Sequence, residues 1–197
     1  MLKSFLFNDV EVRLVLYHEQ ETCTDTGIAF YVNNGYGGVI GVQVFPNGTK
    51  HQIKAVGTKY GHSYSHGKSE YFQFKDAWGK HISIYASRAI YSAWVASIPS
   101  GKTIDHINGI TTDNRFENLR CVSGAINSRD GAFLNKLRSK GIQPEYFARP
   151  FLLRFFDRMV EFKRTHTENA YRNLTNDDLL WMLVEPEFII THPQNLD

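Results

Sequence analysis

The sequence has little cysteine and no long apolar run, and each shortage excludes a class of protein. Among its 197 residues, only Cys23 and Cys121 are cysteines, and they lack the paired spacing of a zinc site. Two such separated cysteines fit a reducing compartment. No apolar run approaches the roughly 18 residues that a membrane span needs, and the N-terminus has acidic residues too early for a signal peptide. We therefore expect a soluble, intracellular protein without a membrane partner.

The chain also has little net charge, so evidence for a nucleic-acid partner has to come from the local distribution of charged residues. Its formal net charge is +2 and its pI is about 8.5, which do not by themselves indicate nucleic acid. Residues 26–69, however, contain no acidic residue and carry Lys50, Lys54, Lys59 and Lys68. A face of that composition could lie on a phosphate backbone without repulsion. Lys54, Lys59 and Lys68 are therefore candidate nucleic-acid contacts.

The first third of the chain is predicted to form a small, mostly antiparallel sheet. Short runs rich in Val, Phe and Tyr alternate with turn signals that contain Asn, Gly or Pro. These runs are 2–7, 10–17, 28–32, 39–45 and 50–56, of which the last two form a hairpin. The segment 57–68, GTKYGHSYSHGK, is typical either of a flexible arm on nucleic acid or of a mobile surface loop. We define residues 1–68 as a β-rich region that could contact DNA.

A second hairpin and a helix are predicted next. Residues 70–75 and 81–85 form the hairpin, and residues 86–97 form the helix. One face of the helix is apolar and consists of Ala89, Ile90, Ala93 and Trp94. We expect this face to be core that packs beneath the strands that follow.

The stretch best suited to chemistry is 104–127, with the sequence IDHINGITTDNRFENLRCVSGAIN. Asn108-Gly109 tolerates positive φ and predicts a turn, and Ser123 is a good helix N-cap. The predicted elements are strand 103–107, loop 110–117, strand 119–122 and a helix that starts at Ser123. The order is therefore strand, loop, strand, helix, and Asn127 lies about one turn into the helix.

Three side chains of this stretch form a set that suits phosphate chemistry. Asp105 and Asn127 offer hard oxygen donors for a magnesium-like ion, which keeps waters and accepts phosphate oxygens as further ligands. His106 is then left to act as general base on water, because an imidazole titrates near working pH. Neighbouring side chains of a strand point to opposite faces, so Asp105 and His106 converge only if the strand ends or bulges there. We expect that it does.

The string DHINGITTDNRFENLRCV, followed by Asn127, closely resembles the HNH endonucleases of the ββα-metal class, in particular the phage and intron-encoded homing type. The preceding SRAIYSAW and IPSGKTIDH are similar to the helix and strand that lead into that motif, so the resemblance covers residues 87–130. It implies that Asp105 and Asn127 are metal ligands, that His106 is the general base and that Asn118 holds the loop by hydrogen bonds. The last position is Asn where the family pattern has His, which favours a hard metal ion.

Each of these residues has an ordinary structural alternative. Asp105 could cap a turn, His106 could be a satisfied strand histidine, and Asn118 and Asn127 could be turn and helix residues. Arginines near the motif could clamp phosphates in bidentate fashion, or they could be structural or solvated. These candidate nucleic-acid contacts are Arg88, Arg115, Arg120 and Arg129.

The C-terminal part of the chain is predicted to be helical. Pro150 can start a helix with an apolar stripe from Phe151 to Phe162. The charged residues beside this stripe either contact DNA or are solvated. Thr175, with Asp178 three residues later, is predicted to cap a short helix over residues 176–185. We define residues 133–197 as the C-terminal helical region and residues 69–132 as the nuclease core.

The predicted protein is α+β, with an N-terminal antiparallel sheet, a central ββα-metal motif and C-terminal helices. The resemblance implies a DNA endonuclease that uses one Mg²⁺ or Mn²⁺ ion and no small-molecule cofactor to hydrolyse a phosphodiester of double-stranded DNA. We expect a monomer or a homodimer, in the cytoplasm of a bacterial host if phage-encoded. The alternatives are a catalytically silent DNA-binding or phage packaging accessory protein, and an RNA-directed nuclease.

Overall fold

The computed structural model describes residues 3–17, 20–21, 28–57, 69–75 and 81–184. It confirms the α+β class, because antiparallel strands dominate the first half and helices the second. The strands are β1 Ser4–Phe7, β2 Val10–Leu14, β3 Leu16–Tyr17, β4 Gln20–Glu21, β5 Ala29–Val32, β6 Ile40–Val44, β7 Lys50–Lys54, β8 Val56–Gly57, β9 Glu70–Lys75, β10 His81–Tyr85, β11 Lys102–His106 and β12 Leu119–Ser123. The helices are α1 Ala86–Trp94, α2 Gly124–Ser139, α3 Arg149–Thr165, α4 Glu168–Asn173 and α5 Asn176–Val184, with 3₁₀ turns at Phe116–Asn118 and Pro144–Tyr146.

The chain divides into two compact units. The first consists of Met1–His106 and Ile110–Gly124, and the second of Ile107–Gly109 and Ala125–Asp197. The boundary after Gly124 falls inside the segment that the sequence assigns to the nuclease core, and it separates β12 from nearly all of α2. The N-terminal strands thus share a unit with the hairpin that carries His106.

The first unit contains the predicted N-terminal sheet. Five antiparallel strands pair in the order β1-β2-β5-β6-β7, and β8, β9 and β10 form a second antiparallel sheet in which β9 is central. Asn8 and Asp9 take φ of +48° and +63° in the turn between β1 and β2, a conformation that short polar side chains tolerate better than bulky ones. The predicted segment 57–68 lies almost wholly outside the described residues.

One apolar core joins the elements of this unit. Its buried residues come from β5, β9, β10, α1, β11, β12 and the residue that follows β2, and they are Val15, Phe30, Val32, Phe72, Ile84, Ala86, Ala89, Ile90, Ile104 and Leu119. Phe30 and Phe72 meet edge to face with ring centroids 5.1 Å apart. The contacts of Ala89 and Ile90 confirm that α1 packs beneath the motif strands.

Trp94, at the end of α1, connects three parts of the unit. Its Nε1–H donates to the carbonyl of Val32 over 3.1 Å, and its ring stacks on Phe116 with centroids 6.0 Å apart. The guanidinium of Arg13 lies 3.9 Å from the ring centre, which is cation–π geometry. The helix that precedes the motif is therefore tied to both the N-terminal sheet and the loop between β11 and β12.

The second unit is helical, as predicted. Its core includes Leu152, Phe155, Phe156, Met159 and Phe162, which are the buried face of α3. Pro150 lies in the first turn of α3, where its missing N–H costs little. No helix within the described part of the chain is long and apolar enough to cross a membrane.

The predicted cap of the last helix is confirmed. Thr175 N–H donates to Asp178 Oδ2 over 2.7 Å, and Asp178 N–H donates to Thr175 Oγ1 over 3.2 Å. The helix is described as far as Val184. The short helix α4, which Thr167 caps by accepting from Ala170 N–H, was not predicted from the sequence.

Candidate active site

The hairpin of β11 and β12 carries the acid and the base of the motif. Its register places Asp105 opposite Arg120 and His106 opposite Leu119. Because side chains alternate along a strand, the two cross-strand pairs lie on opposite faces of the hairpin. β11 ends at His106, as expected, but the register leaves the side chains of Asp105 and His106 on opposite faces of the hairpin.

The turn after β11 confirms the prediction from Asn108-Gly109. Gly109 takes φ of +72°, and a Cβ added there would lie 2.9 Å from Leu134 Cδ1. Arg138 Nη2 donates to the carbonyl oxygen of Asn108 over 3.1 Å. This turn belongs to the second unit, and α2 is the element that holds it.

His106 is buried, with 9% of its surface exposed. Its Nε2 lies 3.0 Å from Asn114 Oδ1. Burial lowers the pKa of His106 below its ordinary value, whereas the hydrogen bond to Asn114 and the charges of Asp105 and Asp113 act in the opposite direction. The imidazole is therefore held neutral near neutral pH, which is the form that can accept a proton.

Asp105 forms a close ion pair with Arg120 across the hairpin. Arg120 Nε and Nη2 both donate to Asp105 Oδ2, over 2.9 Å and 2.7 Å, and the two side chains are only 14% and 15% exposed. The pair orients the carboxylate.

The loop between the strands is tied down by its own side chains. Asn118 Nδ2 donates to the carbonyl oxygen of Asp113 over 2.8 Å, and Asn118 N–H donates to Arg115 O over 2.9 Å. Arg115 donates twice to the carboxylate of Asp113, with both distances at 2.7 Å. Asn118 is therefore bonded to the backbone of the loop at both Asp113 and Arg115.

A turn of the N-terminal sheet lies directly against this loop. Phe116 N–H donates to Asn34 O over 3.2 Å, and the Cα of Gly35 faces the backbone of Asn114 at close range. Asn114 itself is 2% exposed, and its Nδ2 donates to Glu70 Oε2 over 2.8 Å. The hydrogen bond between Asn114 and Glu70 was not predicted from the sequence, because no local pattern connects two residues 44 positions apart.

Asn127 lies in the first turn of α2 and is half-buried. It belongs to the second unit, whereas Asp105 and His106 belong to the first. The pairing of Asn127 with Asp105 as metal ligands therefore rests on motif spacing and on the chemistry of the donors. No group of three or more His, Cys, Asp or Glu residues that could hold a metal ion occurs among the described residues.

The candidate nucleic-acid contacts have different surroundings. Arg115 and Arg129 are both about half-exposed, although each pairs with a nearby aspartate, Asp113 and Asp130 respectively. Arg88 Nη1 donates to Lys102 O over 3.4 Å, and Arg120 is largely buried against Asp105. Lys54 is exposed at the end of β7. Lys59 and Lys68 lie outside the described residues.

The comparison with protein families identifies the central segment. Residues 85–129 match the family model described as HNH endonuclease. The match begins at the end of β10, spans α1, β11 and β12, and includes Asp105, His106, Asn118 and Asn127. It confirms the resemblance of this segment to the HNH endonucleases and supports a nuclease. No curated protein and no solved structure matches the chain.

Proposed function

We propose that this protein is a metal-dependent DNA endonuclease of the homing type that hydrolyses a phosphodiester bond. The observation that carries the proposal is the environment of His106. It stands at the end of β11 next to Asp105, within the segment that matches the HNH endonuclease model, and its imidazole is buried against Asn114. A base needs a neutral ring in a defined orientation, and both conditions are favoured here.

In this proposal His106 accepts a proton from a water molecule as the water oxygen forms a bond to phosphorus. The P–O3′ bond breaks, and the departing oxygen takes a proton from solvent. The products carry a 5′-phosphate and a 3′-hydroxyl, as the resemblance implies. Asn118 holds the loop after Asp113 so that the partner of His106 stays in place.

Asp105 and Asn127 would hold one Mg²⁺ or Mn²⁺ ion. A carboxylate and a carboxamide are hard oxygen donors of the class that these ions accept, and a hard ion completes its shell with water and phosphate oxygens. The orientation of Asp105 by Arg120 supports its role as a ligand. When bound, the ion would polarise the phosphate and stabilise the negative charge on the leaving oxygen.

The proposed substrate is double-stranded DNA. Among the predicted phosphate contacts that lie within the described residues, Arg115, Arg129 and Lys54 are the exposed ones. A monomer with one such site would nick one strand, whereas a homodimer could cut both. We place this activity in the cytoplasm of a bacterial host if the protein is phage-encoded.

The direct test incubates the purified protein with supercoiled plasmid and, in parallel, with an RNA duplex, in Mg²⁺, in Mn²⁺ and in excess EDTA. We expect cleavage of DNA that needs the divalent ion. Asn127→Ala should lose this cleavage, Asn127→Asp should keep part of it because an oxygen ligand remains, and Ser128→Ala should cut as the parent does. DNA binding without cleavage in any divalent ion would establish the silent accessory protein instead. Unchanged cutting in excess EDTA would show that no metal ion is needed. Cutting of RNA alone would show that the substrate is RNA and not DNA.

A further inference from the structure

Two hydrogen bonds in series lead from His106 to a residue outside the segment that matches the HNH endonuclease model. Asn114 Oδ1 lies 3.0 Å from His106 Nε2, and Asn114 Nδ2 donates to Glu70 Oε2 over 2.8 Å. Asn114 is 2% exposed, so water does not replace either partner readily. Glu70 is the first residue of β9, and nothing in the motif itself points to it.

The direction of these bonds follows from the chemistry of the three groups. An ionised carboxylate can only accept hydrogen bonds, so the amide nitrogen of Asn114 has to face Glu70. Its amide oxygen then faces His106, and that oxygen can only accept. Nε2 must therefore be the donor, and a neutral imidazole with its proton on Nε2 has its lone pair on Nδ1.

We propose that Glu70 is a positioning residue that, through Asn114, holds the neutral His106 as the tautomer with a basic Nδ1; this inference rests on the proposed role of His106 as the base. If Asn114 turned over, its NH₂ group would face Nε2 and its oxygen would face the carboxylate of Glu70. Two acceptors would then oppose each other, and the proton of the imidazole would have to move to Nδ1. Glu70 excludes that arrangement.

Glu70 and Asn114, the two residues that follow His106 in this series of hydrogen bonds, are both held in place by the fold. Glu70 pairs with Gly57 in the ladder of β8 and β9, and Phe72, two residues later, is fully buried in the core of the first unit. Asn114 is held from the other side by the turn at Asn34 and Gly35. The part of the chain that precedes the matched segment would thus belong to the catalytic apparatus and would not be only a surface for DNA.

Glu70→Gln tests the direction of the two hydrogen bonds and changes the side-chain volume very little. A glutamine amide can donate or accept, so it no longer dictates which way Asn114 points. We expect kcat to fall by about 10- to 100-fold, which is typical for loss of a residue that orients a functional histidine, with KM unchanged. Glu11→Gln removes a carboxylate from an exposed pair with Arg13 in the same unit and should leave both constants unchanged. Equal kcat in Glu70→Gln and the parent would overturn the proposal.

A double variant separates positioning from a merely structural role. In Glu70→Gln with Asn114→Asp, the glutamine NH₂ donates to one aspartate oxygen, and the other oxygen still accepts from Nε2 of His106. The double variant should recover most of the kcat lost in Glu70→Gln, whereas Asn114→Asp alone opposes two carboxylates and should be slow. A double variant as slow as the slower single variant would contradict the proposal.

Long-range ¹H–¹⁵N NMR of the His106 ring reads the tautomer without any assay of cleavage. The full-length metal-free protein, at a pH where the ring is neutral, should show the proton on Nε2, and Glu70→Gln should show a mixture of tautomers. A parent spectrum with the proton on Nδ1 would overturn the inference even if the protein cuts DNA. If the parent cuts nothing, the nuclease proposal fails, and the ring spectrum alone decides the tautomer.

Discussion

Gly35 lies so close to Asn114 that there is no room for a side chain between them. A Cβ added to Gly35 would be 2.4 Å from the carbonyl oxygen of Asn114, and Gly35 takes φ of +87°. The turn between β5 and β6 is therefore fitted to the loop that carries the hydrogen-bond partner of His106. Gly35 and Asn114 are far apart in the sequence, but their contact joins the N-terminal sheet to the candidate site.

Gly35→Ala should disturb the site much more than Gly37→Ala. Both glycines have positive φ, but a Cβ at Gly37 would meet nothing within 4 Å. Gly37→Ala should destabilise folding by about 1 kcal/mol through backbone strain. Gly35→Ala should add roughly 1 to 3 kcal/mol for overpacking and should slow cleavage, because Asn114 is displaced. Urea denaturation and plasmid cleavage measure the two effects, and equal behaviour of the two variants would refute the contact.

Arg120→Ala should remove the guanidinium that forms an ion pair with the Asp105 carboxylate. The pair is largely buried, so Arg120→Ala should lower the free energy of unfolding by about 2 kcal/mol, the usual scale for hydrogen bonds to a charged group. Arg164→Ala is the matched control, because Arg164 bonds to Glu161 over 2.6 Å with side chains 70% and 51% exposed. Its loss of stability should be much smaller, because an exposed ion pair is screened by water and contributes little. Similar losses in the two variants would show that burial does not strengthen the Asp105 pair.

The stability of the metal-free protein should depend on pH through His106. Burial lowers the pKa of the folded imidazole below 6.5, so the unfolded chain binds this proton more tightly than the folded protein does. The stabilisation is complete above pH 6.5 and is lost as pH falls through the folded pKa. The difference in unfolding free energy between the parent and His106→Gln should therefore shrink below pH 6.5. A difference that does not change with pH would contradict the neutral buried imidazole.

Local patterns in the sequence were enough to predict most of the secondary structure. The turn at Gly109, the cap at Thr175 and the apolar face of α1 all depend on residues within a few positions of one another, and all were confirmed. The continuation of α2 to Ser139 was missed. The spacing of Phe133, Leu134 and Leu137, whose side chains are buried on α2, carried a signal for it.

The surroundings of the candidate site could not be predicted in the same way. Asp105, His106, Asn118 and Asn127 were predicted as site residues because they lie in one short motif. Glu70 accepts a hydrogen bond, Gly35 makes a close backbone contact and Arg120 forms an ion pair. Their partners are determined by how the strands pair and where a turn docks. Arg120 shows the difference, because the sequence offered it as a phosphate contact and the hairpin register places it opposite Asp105.

The central claim is that His106 activates the water that attacks the phosphodiester. The most direct test measures single-turnover cleavage of plasmid DNA in Mg²⁺ by His106→Ala, with His81→Ala, an exposed histidine at the start of β10, as the control. We predict that His106→Ala binds DNA as the parent does but cuts about 10² to 10⁴ times more slowly, the usual contribution of a general base, while His81→Ala cuts at the parental rate. A His106→Ala protein that cuts as fast as the parent would contradict the account.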